Sequence, residues 1–216
     1  MSEAASTGPR GPYAKTQARR EDIRRAAHAI VLERGHRALT TAEVAKRAGI
    51  SERAMLYHFP TREHLLVGAA EVATDDSWSQ DHPLEDGADA LDVLARSLAR
   101  VEESNVHLVR LMSYVASAAT DSDHPAHQFM RARNERALNA LTALVRDRQA
   151  AGEAHPDIVP EVAARQILAI WGGLNDLWLT DPTFDIVEEL QDAFHSLTGQ
   201  HSMRARRMID DLLTKI

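Results

Sequence analysis

Cysteine is absent from the 216-residue chain, which removes disulfides, thiolate metal sites, iron–sulfur clusters and cysteine nucleophiles together. No apolar run approaches the roughly 20 residues that cross a bilayer, and the first twelve residues hold no apolar stretch of the kind a secretory leader needs. A cytoplasmic protein without a membrane partner is therefore expected. Aromatics make up only 5% of residues, and alternation at the period of a strand is nowhere convincing. Ala, Leu and Arg are plentiful instead, so the chain reads as all-α. Motifs of catalysis are missing as well: there is no His-Glu-x-x-His, no phosphate-cradling glycine loop and no Gly-x-Ser-x-Gly elbow. No catalytic residue, no cofactor and no enzymatic activity are expected. Among eleven histidines, the turn Asp121-Ser122-Asp123-His124-Pro125-Ala126-His127 gathers possible metal donors. No second pair of ligands is positioned by sequence, and no metal site is expected there.

What is present is unevenly distributed. The net charge of −7 divides into +6 over residues 1–62 and −13 over residues 63–216. A basic quarter on an acidic body suits a chain whose first part meets a polyanion, although a solvated basic tail would have the same charge.

Residues 1–16, with Gly8, Pro9, Gly11 and Pro12 and no apolar periodicity, read as a flexible arm. Ile23, Ala26, Ala27, Ile30 and Val31 then recur at helical spacing up to Gly35. Thr40 opens a short helix, with Glu43 placed for a reciprocal capping box. Val44, Ala45 and Ala48 are its apolar face, and Gly49 ends it. Ser51 caps a third short helix with Met55, Leu56 and Phe59, stopped by Pro60. Thr61 caps a longer one through Leu65, Leu66, Ala69 and Val72 to about Trp78. A loop is expected over 79–87. Further helical patterns run through Leu91, Leu94, Leu98 and Val101, from Val106 to Ala119, from Met130 to Gly152, and from Pro160 towards Pro182. Two more carry Phe184, Val187, Leu190 and Phe194, then Met208, Ile209, Leu212 and Leu213.

The two short helices joined by Gly49-Ile50-Ser51 have the form of a helix-turn-helix, whose second helix enters a major groove. A reading helix needs polar and cationic groups at its start and free N–H groups that draw phosphate. Ser51, Glu52 and Arg53 stand there, Tyr57 and His58 follow a turn later, Thr40, Thr41 and Lys46 flank the turn, and Arg62 begins the next helix. Arg53 suits a guanine contact, a phosphate contact or plain solvation. Glu52 suits a helix-start acid, and Tyr57 could also pack.

Residues 20–66 resemble the DNA-binding domain of the TetR family of bacterial transcriptional repressors. The resemblance is carried by Ala26-Ala27, Glu33-Arg34-Gly35, Thr40, Val44-Ala45, Ala48-Gly49-Ile50-Ser51, Tyr57-His58-Phe59-Pro60-Thr61-Arg62-Glu63 and Leu65-Leu66. It implies a flexible arm over 1–18, a three-helix DNA-binding domain over 19–66 and a helical regulatory and dimerisation domain over 67–216. Three positions depart from the family pattern. Leu56 stands where a phosphate-contacting tyrosine is common, Arg62 where lysine is usual, and His64 where an acid normally completes a capping box.

One such reader has few phosphate contacts, so a homodimer on palindromic operator DNA is expected. Trp171, Leu174, Trp178, Val187, Leu190 and Phe194 are the candidate seam, and Gly172-Gly173 would permit close approach of another helix. A small, mostly apolar inducer is expected among His107, Met112, Tyr114, Phe129, Met130, Trp171 and Asn175, with Asp176 nearby. Trp171 suits pocket or seam, and all these side chains also suit plain core packing. Repression with release by ligand is the function implied. A DNA-binding regulator without small-molecule control is the alternative, and a helical enzyme or protein-binding module is a more remote one.

Overall fold

The computed structural model describes residues 12–79 and 105–213, and every regular element among them is helical. In order these are α1 (Pro12–Arg34), a single 3-10 turn (His36–Ala38), α2 (Thr41–Arg47), α3 (Glu52–His58), α4 (Arg62–Ser79), α5 (Val106–Ala118), α6 (Ala126–Ala150), α7 (Pro160–Thr180), α8 (Ile186–Leu197) and α9 (Gln200–Leu213). The expected helix through Leu91 and Val101, the loop after Ser79 and residues 1–11 of the arm lie outside the described residues.

Local chemistry sets the helix ends. Gly35 leaves α1 with φ +80°, a conformation that a Cβ disfavours. The Thr40 hydroxyl accepts from the Glu43 N–H at 3.3 Å, whereas the Glu43 carboxylate pairs with Arg34. Only the hydroxyl half of the expected capping box is therefore assembled. Ser51 caps α3 by accepting from the Ala54 N–H at 3.2 Å. At α4 the His64 ring takes the place of the usual acid, its Nδ1 lying 2.8 Å from the Thr61 hydroxyl. Asp185 caps α8 through the Val187 and Glu188 N–H groups.

Two expected boundaries shift. Residues 12–18 belong to α1 and not to the arm, because proline at a first helical position has its φ already set and no N–H to lose. Nor does the packing break at residue 66. Helix α4 is continuous, and Leu65, Leu66, Ala69, Ala70 and Ala73 bury into one cluster with Ile23, Ile30, Val44, Met55 and Phe59 that extends to Leu111, Val115 and Met130. The helix-turn-helix unit, whose core runs into α5 and α6, is braced by the body. The second core joins α6, α7 and α8 through Leu141, Val145, Ile167, Trp171, Leu190 and Phe194.

Candidate nucleic-acid interface and helical cavity

Helix α3 buries one of its seven side chains, Met55, and Phe59 anchors its end. Glu52, Arg53, Ala54, Leu56 and Tyr57 face outward. Arg20 of α1 fixes that end, donating to the His58 carbonyl at 2.8 Å and lying 4.7 Å over the Phe59 ring. Arg53 and Tyr57, one turn apart on α3, share a face, and Tyr57 is 83% exposed. Arg53 and Lys46 are exposed, and neither has an ion pair among the described residues. Thr41 is half-buried and donates to the Glu52 carboxylate, tying α2 to α3. That bond fits Glu52 as a helix-start acid. His58 is half-buried, with a pKa below the ordinary histidine value because burial, then Arg20 and Arg19, disfavour its cation. It meets neutral pH as an uncharged hydrogen-bonding group.

Arg62 is placed differently from the expectation. Its Nε donates to the Leu39 carbonyl at 2.9 Å, one terminal nitrogen to the His36 carbonyl at 2.7 Å, and the other to Glu63 Oε1 at 3.1 Å. A guanidinium forked over two backbone carbonyls staples the 3-10 turn, and with it the start of α2, to the first turn of α4. The planar fork suits this geometry as an ammonium would not. Sequence reasoning assigned Arg62 to phosphate because those carbonyls lie 23 and 26 residues away.

The staple continues into the body. Glu63 Oε2 accepts from the Tyr114 hydroxyl at 2.8 Å and lies 3.4 Å from His124 Nε2. The Tyr114 ring stacks on His36 at 5.3 Å. Its phenol pKa is raised, first by the hydrogen bond to Glu63 and then by burial. Tyr114 thus joins α5 to the first turn of α4 and to the 3-10 turn, and it does not line the cavity described below. His107 is likewise elsewhere: its Nδ1 sits 3.0 Å from the place a Cβ on Gly35 would take. Phe129 packs on the N-terminal core.

A cavity of about 590 Å³ lies between α4, α5, α6 and α7. Met112, Met130, Trp171 and Asn175 line it as expected, with Val109, Leu138 and Leu168 as further apolar wall. Missed by sequence reasoning were Thr74, Ser113, Ser117, Arg133, Asn134 and Arg165, which lie on the same wall. The spacing of Val109, Met112, Ser113, Ala116 and Ser117 was a usable signal, since residues three and four apart line one face of a helix. At the rim Ser113 donates to Asp176 Oδ1 at 2.6 Å, joining α5 to α7.

The expected seam divides. Phe194 is fully buried, and Leu190 and Trp171 nearly so, in the chain's own second core. They cannot also meet a second subunit, because their apolar surface is already covered by α6, α7 and α8. Leu174, Trp178 and Val187 are half-buried. Outward apolar side chains of α7 are instead Val162 and Leu177, on the side of the helix that carries Gly173, where an added Cβ would touch nothing within 4 Å; α9 exposes Met208, Ile209, Leu212 and Leu213. Among the described residues no three His, Cys, Asp or Glu side chains converge on a metal position. No described helix is long and apolar enough to cross a membrane.

Residues 23–69 match the family model of the bacterial regulatory proteins of the tetR family. The nucleoid occlusion factor SlmA of Vibrio vulnificus is 26% identical over 193 residues, covering 86% of this chain and 97% of SlmA. Among solved structures, a protein from Rhodococcus sp. assigned to the TetR-family transcriptional regulators superposes with a TM-score of 0.65 at 24% identity, over 84% of this chain and 99% of that one. Thermus thermophilus FadR, a TetR-family transcriptional repressor in complex with lauroyl-CoA, superposes at 0.60 with 21% identity, over 82% and 92%. These two likenesses show the shared fold.

Proposed function

The chain belongs to the TetR family of bacterial regulatory proteins, a DNA-binding and non-enzymatic family, and from that premise we propose that it is a dimeric repressor released from operator DNA by a small, mostly apolar molecule. The carrying observation is a path of contacts. The cavity wall residue Ser113 and Tyr114 are neighbours on α5, and Tyr114 is bonded to Glu63 beside the Arg62 staple. A ligand that parts α5 from α7 would move α5, and through Tyr114 it would shift the first turn of α4 against the helix-turn-helix.

Arg53 is assigned to base contact and Lys46 to phosphate, with Tyr57 and the capped start of α3 alongside. Thr40 and Thr41 serve α2, by capping it and by holding Glu52. In the dimer, α7 and α8 of two copies pack across the outward face that carries Val162, Gly173 and Leu177. Half-buried Leu174, Trp178 and Val187 border that seam. The pair would hold its α3 helices about 34 Å apart, one turn of duplex. A ligand preferring the released arrangement by about 1–3 kcal/mol would switch it.

A second reading draws on the near full-length likeness to SlmA, a nucleoid occlusion factor: a DNA-bound factor without small-molecule control. Sequencing of genomic fragments captured by the purified protein separates the two. A few palindromes beside a small set of genes support the repressor; sites scattered along the chromosome overturn it.

A further inference from the structure

Asn175 is 8% exposed and lines the cavity. Its Nδ2 donates to the Trp171 carbonyl at 2.8 Å, but its Oδ1 is buried with no hydrogen-bond partner. A buried acceptor left unpaired is costly, and such atoms in native interiors call for a missing partner. Arg165, Leu168, Gly172 and Asn175 follow one another at helical spacing along the cavity face of α7, and ten residues of helix span about 15 Å. The cleft is thus elongated and largely apolar, with an unsatisfied acceptor near one end. We infer that it takes an elongated apolar molecule bearing one O–H or N–H donor, which pairs with Asn175 Oδ1. The inference rests on the ligand-controlled reading above and names the chemistry of that ligand.

Two isomers of one formula test it: 1-decanol, which has a donor, and nonyl methyl ether, which has none. Decanol is expected to bind about tenfold more tightly by calorimetry, the factor that one net hydrogen bond supplies, and to release a captured operator fragment at correspondingly lower concentration. Asn175→Leu keeps the branched shape and number of heavy atoms, removes the acceptor and abolishes the preference. Because it also removes an unpaired buried group, the ligand-free variant should melt above the parent. Equal binding of both isomers with release of DNA would overturn the donor assignment and leave ligand control standing. Failure of both to bind a protein that still holds DNA would overturn the assignment and weaken ligand control with it. A lower melting point for ligand-free Asn175→Leu would make Asn175 a structural residue and sink the inference.

Discussion

Replacing Arg62 by alanine separates a staple from a DNA contact. The variant loses hydrogen bonds to the Leu39 and His36 carbonyls and the pairing with Glu63. Bonds from a charged donor contribute about 1.5–3 kcal/mol each when protected. The Arg62 side chain is 36% exposed, so solvent screening lowers that figure to roughly 1 kcal/mol per carbonyl bond. A total loss of about 2–3 kcal/mol should lower Tm by roughly 5–10 °C for a chain of this size. Affinity for operator should fall too, because α2 and α3 lose their brace, while the slope of log Kd against log salt stays as in the parent. A phosphate contact has the opposite signature. Its loss leaves Tm unchanged and reduces the slope by about 0.9. Arg62→Lys sharpens the contrast, since a point charge serves phosphate well but cannot fork onto two carbonyls. A stable Arg62→Ala protein with a shallower salt slope would refute the staple.

Three other outcomes are expected. Arg53→Ala should cost about 1–3 kcal/mol on operator and relax preference at one base pair while leaving non-specific binding nearly unchanged; a uniform loss on all sequences, seen by fluorescence anisotropy, would reassign it to phosphate. His36 has a lowered pKa, owing first to burial and then to Arg37, Arg62, Arg110 and His107. Its contribution to stability is therefore full above the ordinary histidine value of about 6.5 and is lost as pH falls below it. Tm should drop as pH falls below about 6.5, and His36→Phe, which keeps a ring against Tyr114, should flatten that drop; an undiminished drop would count against His36. On the proposed seam, Leu177→Arg should leave the stability of the monomer fold within about 0.5 kcal/mol of the parent, as for other exposed positions. Sedimentation should then show the dimer dissociating, and a dimer unaffected by the change would move the seam elsewhere.

Most helices of the described residues were legible, because Ile23 to Val31, Val44 to Ala48 and Leu65 to Val72 repeat at a period close to 3.6 and are bounded by Thr40, Gly49, Ser51 and Pro60. Outward presentation of α3 was legible too, since a seven-residue helix with Met55 as its one buried side chain has little else to bury. What was not legible is the partition of apolar side chains among several helices. Trp171, Leu190 and Phe194 form a stripe that reads equally as seam or core, and only packing against α6 assigns them to the core. The same holds for polar groups of the cavity. Arg133 and Arg165 look like solvated charges in sequence, and their common wall arises only when α6 and α7 lie side by side. Long-range bonds such as Arg62 to Leu39 and Tyr114 to Glu63 leave no local pattern at all.

The position of Tyr114 bears on whether one contact can carry the proposed switch. Successive residues on a helix point about 100° apart, so Ser113 reaches Asp176 at the cavity rim while Tyr114 reaches Glu63 at the other side of α5. A phenol bonded to a carboxylate contributes about 1.5–3 kcal/mol when shielded from water, and coupling between ligand and DNA typically amounts to 1–3 kcal/mol. The two ranges overlap, so breaking or making the Tyr114–Glu63 bond is sufficient in size for the switch. Its location adds leverage. Glu63 is also bonded to Arg62, which holds the turn before α2, and α4 continues as one helix from that point into the cavity wall at Ala73 and Thr74. A ligand in the cavity would therefore press on α4 directly as well as through α5. Both routes end at the same first turn, which Arg62 ties to the turn before α2.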